Sequence, residues 1–187
     1  MIEETQLEAV TMLKKLYSIY MLFTLLVVSC GSRPDLKPSF PLTLASFTEN
    51  GVTVNIALMQ ATNRLFFLAA TFIPGQAGFH LYSKNLPLDG EGRPTLVEIP
   101  SGSTLKVAGD LIDSADAEVS SMGPGTLLVY PAGPVTLSLP VTLPAGKGWA
   151  QEQVSVTYEA CSDMTCLTPV VGKLVPIRLP EASLAGG

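Results

Sequence analysis

The chain has 187 residues, of which 47% are apolar and 14% charged, with a net charge of −5 from eleven Lys and Arg against sixteen Asp and Glu. That length suits one domain of ordinary size. The hydrophobicity excludes a disordered polyelectrolyte, and an acidic balance with no basic stripe excludes binding to a nucleic-acid backbone. Sixteen Gly and fifteen Pro, scattered without period, disfavour a mostly helical protein. One His and three Cys exclude a multi-His metal enzyme and a four-cysteine zinc site.

The N-terminus reads Lys14-Lys15, an apolar run from Leu16 to Val28, then Ser29-Cys30-Gly31. This is the layout of a secretory signal, with Met12 as an alternative start. The run of about 13 residues falls short of the roughly 20 that span a bilayer. Val27-Val28-Ser29-Cys30 resembles a bacterial lipobox. The resemblance implies a leader over 1–29, a diacylated Cys30, and a place in the bacterial cell envelope, lipid-anchored and facing the periplasm or the outside. An ordinary signal peptide with an incidental Cys is the alternative. Outside the cytoplasm disulfides persist, and removing Cys30 from the count leaves Cys161 and Cys166 as an even pair.

Residues 30–38 read as anchor and tether, 39–180 as one folded domain, and 181–187 as a frayed, flexible tail. Val52–Leu58 alternates apolar with polar or small residues, as a half-buried strand does. Further strands are predicted at Leu65–Ile73, Phe79–Ser83, Thr95–Ile99, Thr126–Tyr130, Val135–Leu139 (ending at Pro140), Val154–Tyr158 and Leu174–Leu179. In the last of these, Pro176 marks an edge or a bulge. Asp110–Met122 is read as a turn or short helix, and Trp149 as a partly buried loop anchor. Gly90-Glu91-Gly92 is turn material without the spacing of a phosphate loop. About eight short strands predict an all-β, antiparallel sandwich, with a barrel as the alternative closure.

Cys161 and Cys166 form a C-x4-C element at a strand end. Four intervening residues let a tight loop bring the pair within disulfide range. An exposed sulfur plus a resolving sulfur is what thiol exchange requires. A structural staple would also use such a pair, although closing so short a loop stabilises by only about 2 kcal/mol. A Cu(I) site drawing on His80, Met122 or Met164 is a third reading. Glu159 and Asp163 read as solvated loop charges, or as carboxylates that raise the thiol pKa values. Spacing alone leaves these readings open.

The segment Val156-Thr157-Tyr158-Glu159-Ala160-Cys161-Ser162-Asp163-Met164-Thr165-Cys166-Leu167-Thr168-Pro169 resembles the redox segment of the N-terminal periplasmic domain family of the thiol:disulfide interchange protein DsbD. Gly78-Phe79-His80-Leu81-Tyr82-Ser83 and Leu137-Ser138-Leu139-Pro140-Val141-Thr142-Leu143 are similar to two further strands of that family. The resemblance covers about residues 39–180. It implies an immunoglobulin-like sandwich and a thiol-disulfide oxidoreductase-type module with Cys161 and Cys166 as the redox pair. Tyr158, Phe79, Tyr82 and Pro169 would be supporting residues. No cofactor or metal is implied. The implied partners are a membrane electron donor and a thioredoxin-like acceptor, as separate chains. This sequence departs from the family at Glu159, where the family has Gln, and at Ser103–Asp110, which lacks the family's aromatic cap. A non-enzymatic envelope lipoprotein with a structural disulfide is the alternative function, and a copper-binding module a further one.

Overall fold

The computed structural model describes residues 38–185, except 63, 88–90, 121–126 and 147. The expected leader, the tether up to residue 37 and Cys30 lie outside the described residues. Asn50 and Gly51 begin the architecture. Both adopt positive φ, 47° and 74°, as a two-residue hairpin turn requires, and they join β1 (Leu42–Glu49) to β2 (Val52–Gln60). The chain continues antiparallel through β3 (Phe66–Pro74). β4 (His80–Leu81) and β5 (Leu96–Glu98) follow. Next come four two-residue strands: β6 (Lys106–Val107), β7 (Ile112–Asp113), β8 (Glu118–Val119) and β9 (Leu128–Val129). The longer strands β10 (Val135–Thr142), β11 (Trp149–Tyr158) and β13 (Val170–Pro180) complete the sheets, with β12 (Ala160–Cys161) between the last two.

One sheet has the order β1-β2-β3-β10, with β6 and β7 sharing the far side of β10; the other is β13-β11-β5. Their inner faces follow the period-two alternation. Val52, Val54, Ile56 and Leu58 of β2, and Val135, Leu137, Leu139 and Val141 of β10, share one buried cluster with Val154, Val156 and Tyr158 of β11 and with Val175, Ile177 and Leu179 of β13. Two antiparallel sheets closed over a common apolar core make this a nearly all-β protein of immunoglobulin-like sandwich form.

Several sequence expectations change. β1 was not predicted, because a bulge between Thr43 and Ala45 turns two consecutive residues, Leu44 and Ala45, partly inward and breaks the alternation. Asp110–Met122 holds no helix among its described residues. Instead β7 and β8 lie there, with Leu111, Ala115 and Ala117 packed against the core at period-two spacing. β10 runs through Pro140 to Thr142. The proline, which has no N–H, stands between the pairing segments of β6 and β7, and its carbonyl accepts from Ala108 N–H at 2.8 Å. Trp149 opens β11 rather than a loop, with the Arg178 guanidinium 5.3 Å from its ring centre. Pro176 lies on β13, an edge strand of its sheet. Within the expected tail, Ala182–Ala185 form a helical turn, α1, with Ala185 buried in the core cluster.

Candidate functional site

A small platform at one end of the sandwich carries the cysteines. β12 pairs with β4, setting Cys161 opposite His80 and Ala160 opposite Leu81. Tyr82 bridges to Val129 of β9, and Tyr130 N–H donates to Leu81 carbonyl at 2.8 Å. The Tyr130 hydroxyl accepts from Lys84 N–H at 3.1 Å and donates to Asp113 at 3.0 Å. Burial, aided by the Asp113 carboxylate and opposed by the Lys84 N–H, pushes its ionisation up to about 12, so it remains a neutral strut.

The loop between the cysteines is tight because Ser162 satisfies it from within. Ser162 N–H donates to Thr165 carbonyl at 2.8 Å, and its Oγ accepts from the N–H groups of Met164 at 3.3 Å and Thr165 at 3.2 Å. The Cα atoms of Cys161 and Cys166 stand 4.0 Å apart and their sulfurs form a disulfide. Leu167 N–H returns to Ala160 carbonyl at 2.9 Å. Beneath it, the tip of the first hairpin approaches the loop closely: a Cβ placed on Gly51, whose φ of +74° already favours glycine, would lie 2.7 Å from Leu167 Cδ1.

The two sulfurs differ sharply in surroundings. Cys161 is 3% exposed and packs with Tyr82, Leu86 and Val129, with Leu127 at the margin. Cys166 is exposed, as are Asp163, Thr165 and Met164, the last at 91%. The Tyr82 hydroxyl lies 3.5 Å from Cys161 Sγ and 4.0 Å from Cys166 Sγ. A disulfide sulfur carries no hydrogen, so the hydroxyl is the donor. Thr95 holds Tyr82 in place by donating its N–H at 3.2 Å and its Oγ1–H at 2.7 Å to the Tyr82 carbonyl. Burial, aided by the carboxylates of Glu159 and Glu91, raises the Tyr82 pKa above its usual value.

Gly92 closes over that ring. Its φ is +82°, and an added Cβ would fall 2.5 Å from Tyr82 Cε2. Gly92→Ala is therefore expected to displace Tyr82 from the sulfurs and to lower the melting temperature through both strain and overpacking, at a cost of about 1–3 kcal/mol. Thermal unfolding and tyrosine fluorescence check this.

Glu159, between β11 and β12, brings a carboxylate oxygen to within 4.8 Å of both sulfurs. Burial raises its pKa; the Arg93 guanidinium and a hydrogen bond from Arg93 backbone N–H oppose that rise. Among the described residues, Glu159, Cys161 and Cys166 are the group of His, Cys, Asp and Glu side chains close enough to share an ion, but both sulfurs are joined to each other. His80 lies outside that group, with its ring 6.4 Å from that of Tyr82. Burial lowers the His80 pKa, against the opposing charge of Asp163. Of the copper ligands drawn from the sequence, His80 is thus not brought beside the sulfurs, and Met122 lies outside the described residues.

Of the expected supporting residues, Tyr82 touches the disulfide. Phe79 and Tyr158 are in the main core, and Tyr158 donates its hydroxyl to Glu49 carbonyl at 3.0 Å. Pro169 is exposed just before β13. In the stretch where the sequence lacks an aromatic cap, Ser103 and Thr104 bond to Glu152, and Lys106–Val107 pairs with β10. The residues that the sequence alone does not single out are Leu86 and Val129, which pack with Cys161, and Gly92 and Arg93, which reach Tyr82 and Glu159.

No family model and no curated protein matches this chain. Among solved structures, it is similar to the N-terminal domain of DsbD from Neisseria meningitidis in the reduced form, at 14% identity and a TM-score of 0.40, over 80% of this chain and 94% of that one. It is similar also to the GAE domain of GGA2p from Saccharomyces cerevisiae, at 8% identity and a TM-score of 0.39, over 74% and 98% of the two chains.

Proposed function

We propose that this chain is a thiol–disulfide exchange module of the bacterial cell envelope, anchored through a lipidated Cys30, that relays electrons between a membrane donor and a thioredoxin-like acceptor. The observation that carries this reading is the asymmetry of the disulfide: Cys166 stands open on a turn while Cys161 is 3% exposed in an apolar cluster. Exchange proceeds by in-line attack of a thiolate on one sulfur, with the other as leaving group. Access therefore directs the partner to Cys166 and leaves Cys161 to resolve. A staple gains little from this placement, since the bond spans a sequence separation of 5 and so short a loop contributes only about 2 kcal/mol.

The test mixes the full-length chain, reduced and in detergent, with an oxidised thioredoxin-like protein. The expected result is reduction of that protein faster than of glutathione disulfide at equal disulfide concentration. Transfer no faster than to glutathione disulfide would contradict the proposal.

A further inference from the structure

The Cys161 sulfur has a problem that the exposed Cys166 does not. When the disulfide opens, the leaving electron pair settles on a sulfur enclosed by Tyr82, Leu86 and Val129, and a thiolate in apolar surroundings is disfavoured. Some group must supply a proton there. Tyr82 is near enough, but a phenol held above its usual pKa donates a hydrogen bond and keeps its proton. Asp163 is exposed on the loop, away from the enclosed sulfur, and burial holds His80 below its usual pKa, which disfavours its charged, proton-carrying form.

We infer that Glu159, whose carboxylate lies within 4.8 Å of both sulfurs, is the proton-handling group of the Cys161–Cys166 pair. The inference rests on the exchange reading above. Arg93 backbone N–H fixes the carboxylate from one side, and the carbonyl of Gly92 engages the Arg93 guanidinium at 2.9 Å. The charged and titratable groups facing the site are then Glu91 and Arg93 on the segment before β5, His80 and Tyr82 from β4 and its end, and Asp163 on the loop. Burial raises the Glu159 pKa above the ordinary 4.5 despite the opposing Arg93, and so favours the protonated carboxyl that a donor needs.

The steps balance. A partner thiolate bonds to Cys166 Sγ, the Cys161–Cys166 bond breaks, and its electron pair goes to Cys161 Sγ, which takes the proton of Glu159. The partner's second thiolate attacks the partner's own sulfur in the mixed disulfide. That releases Cys166, which takes a proton from solvent, and Glu159 is reprotonated from solvent. Two electrons and two protons reach the pair, and the partner leaves as a disulfide. Closure runs the same steps backward, with Glu159 as the base.

The test uses the full-length chain in detergent and its Glu159→Gln and Glu159→Asp variants. Reduction by dithiothreitol is followed across about pH 5 to 8 and divided by the reductant's thiolate concentration. The wild-type corrected rate is expected to fall about tenfold or more as pH rises through the Glu159 pKa. Glu159→Gln should be slow and flat with pH, and Glu159→Asp should recover the pH step. A Gln variant with the wild-type profile overturns the inference, while a wild-type chain that does not exchange at all overturns the exchange reading instead. Should the Gln variant fail to fold, carbon-13 NMR of labelled wild-type glutamate decides. The Glu159 carboxyl must titrate above the ordinary 4.5 in the disulfide form, and an ordinary titration overturns the inference.

Discussion

Cys161→Ser is expected to turn the protein into a trap. The remaining thiol of the pair, Cys166, is exposed on the loop, so a thioredoxin-like protein carrying an activated disulfide should accumulate as a stable mixed disulfide with it. Cys166→Ser leaves, of the pair, Cys161, 3% exposed in the cluster with Tyr82, which should form little or no adduct under the same conditions. Both substitutions abolish cycling, because a mixed disulfide without its resolving thiol has no intramolecular exit. The fold should survive either change. Losing a bond across a sequence separation of 5 costs about 2 kcal/mol in the chain-entropy account, within the 5–15 kcal/mol typical of domains. Non-reducing electrophoresis with mass spectrometry reads the adducts. Equal trapping by the two variants would contradict the directional assignment.

The largest stability effect is expected at Tyr158. Its ring, 1% exposed, meets Phe72 of the opposite sheet edge-on, with centres 5.5 Å apart. Its hydroxyl ties β11 to the end of β1 through the Glu49 carbonyl. Burial, with the Glu49 carboxylate second, pushes its ionisation up to about 12. Tyr158→Ala removes the ring from the centre of the sandwich and should cost about 3–5 kcal/mol. Tyr158→Phe removes one hydrogen bond and should cost about 1 kcal/mol, somewhat more if the Glu49 carbonyl stays dry. Denaturant unfolding measures both. Tyr158→Phe should leave exchange at Cys166 unchanged; a large loss of exchange with stability intact would place Tyr158 in the reacting site.

How much of this was legible follows from the range of each signal. Alternation in Val52–Leu58 and Val135–Leu139 is local, and the strands formed there. β1 was hidden by its bulge, although Asn50-Gly51 is the strongest short hairpin signal and would have revealed it. β7 and β8 were hidden because each is only two residues long and largely exposed, and the residues between them that face the core are the small Ala115 and Ala117. The cysteine spacing allowed the disulfide, but its environment is long-range: Tyr82 reaches Cys166 across 84 positions. Nothing in Gly90-Glu91-Gly92 as a sequence says that Gly92 will cover that ring. Glu159 read as a loop charge because its proximity to both sulfurs depends on how β12 pairs with β4.

The most direct test of the exchange proposal is the reduction potential of the Cys161–Cys166 pair in the full-length chain, measured against glutathione or a thioredoxin-like protein, with circular dichroism on the reduced form. The account predicts a potential in the range of exchange proteins, roughly −120 to −270 mV, and a sandwich that stays folded as a dithiol. A potential below about −300 mV, with unfolding on reduction, is the behaviour of a structural bond and would contradict it.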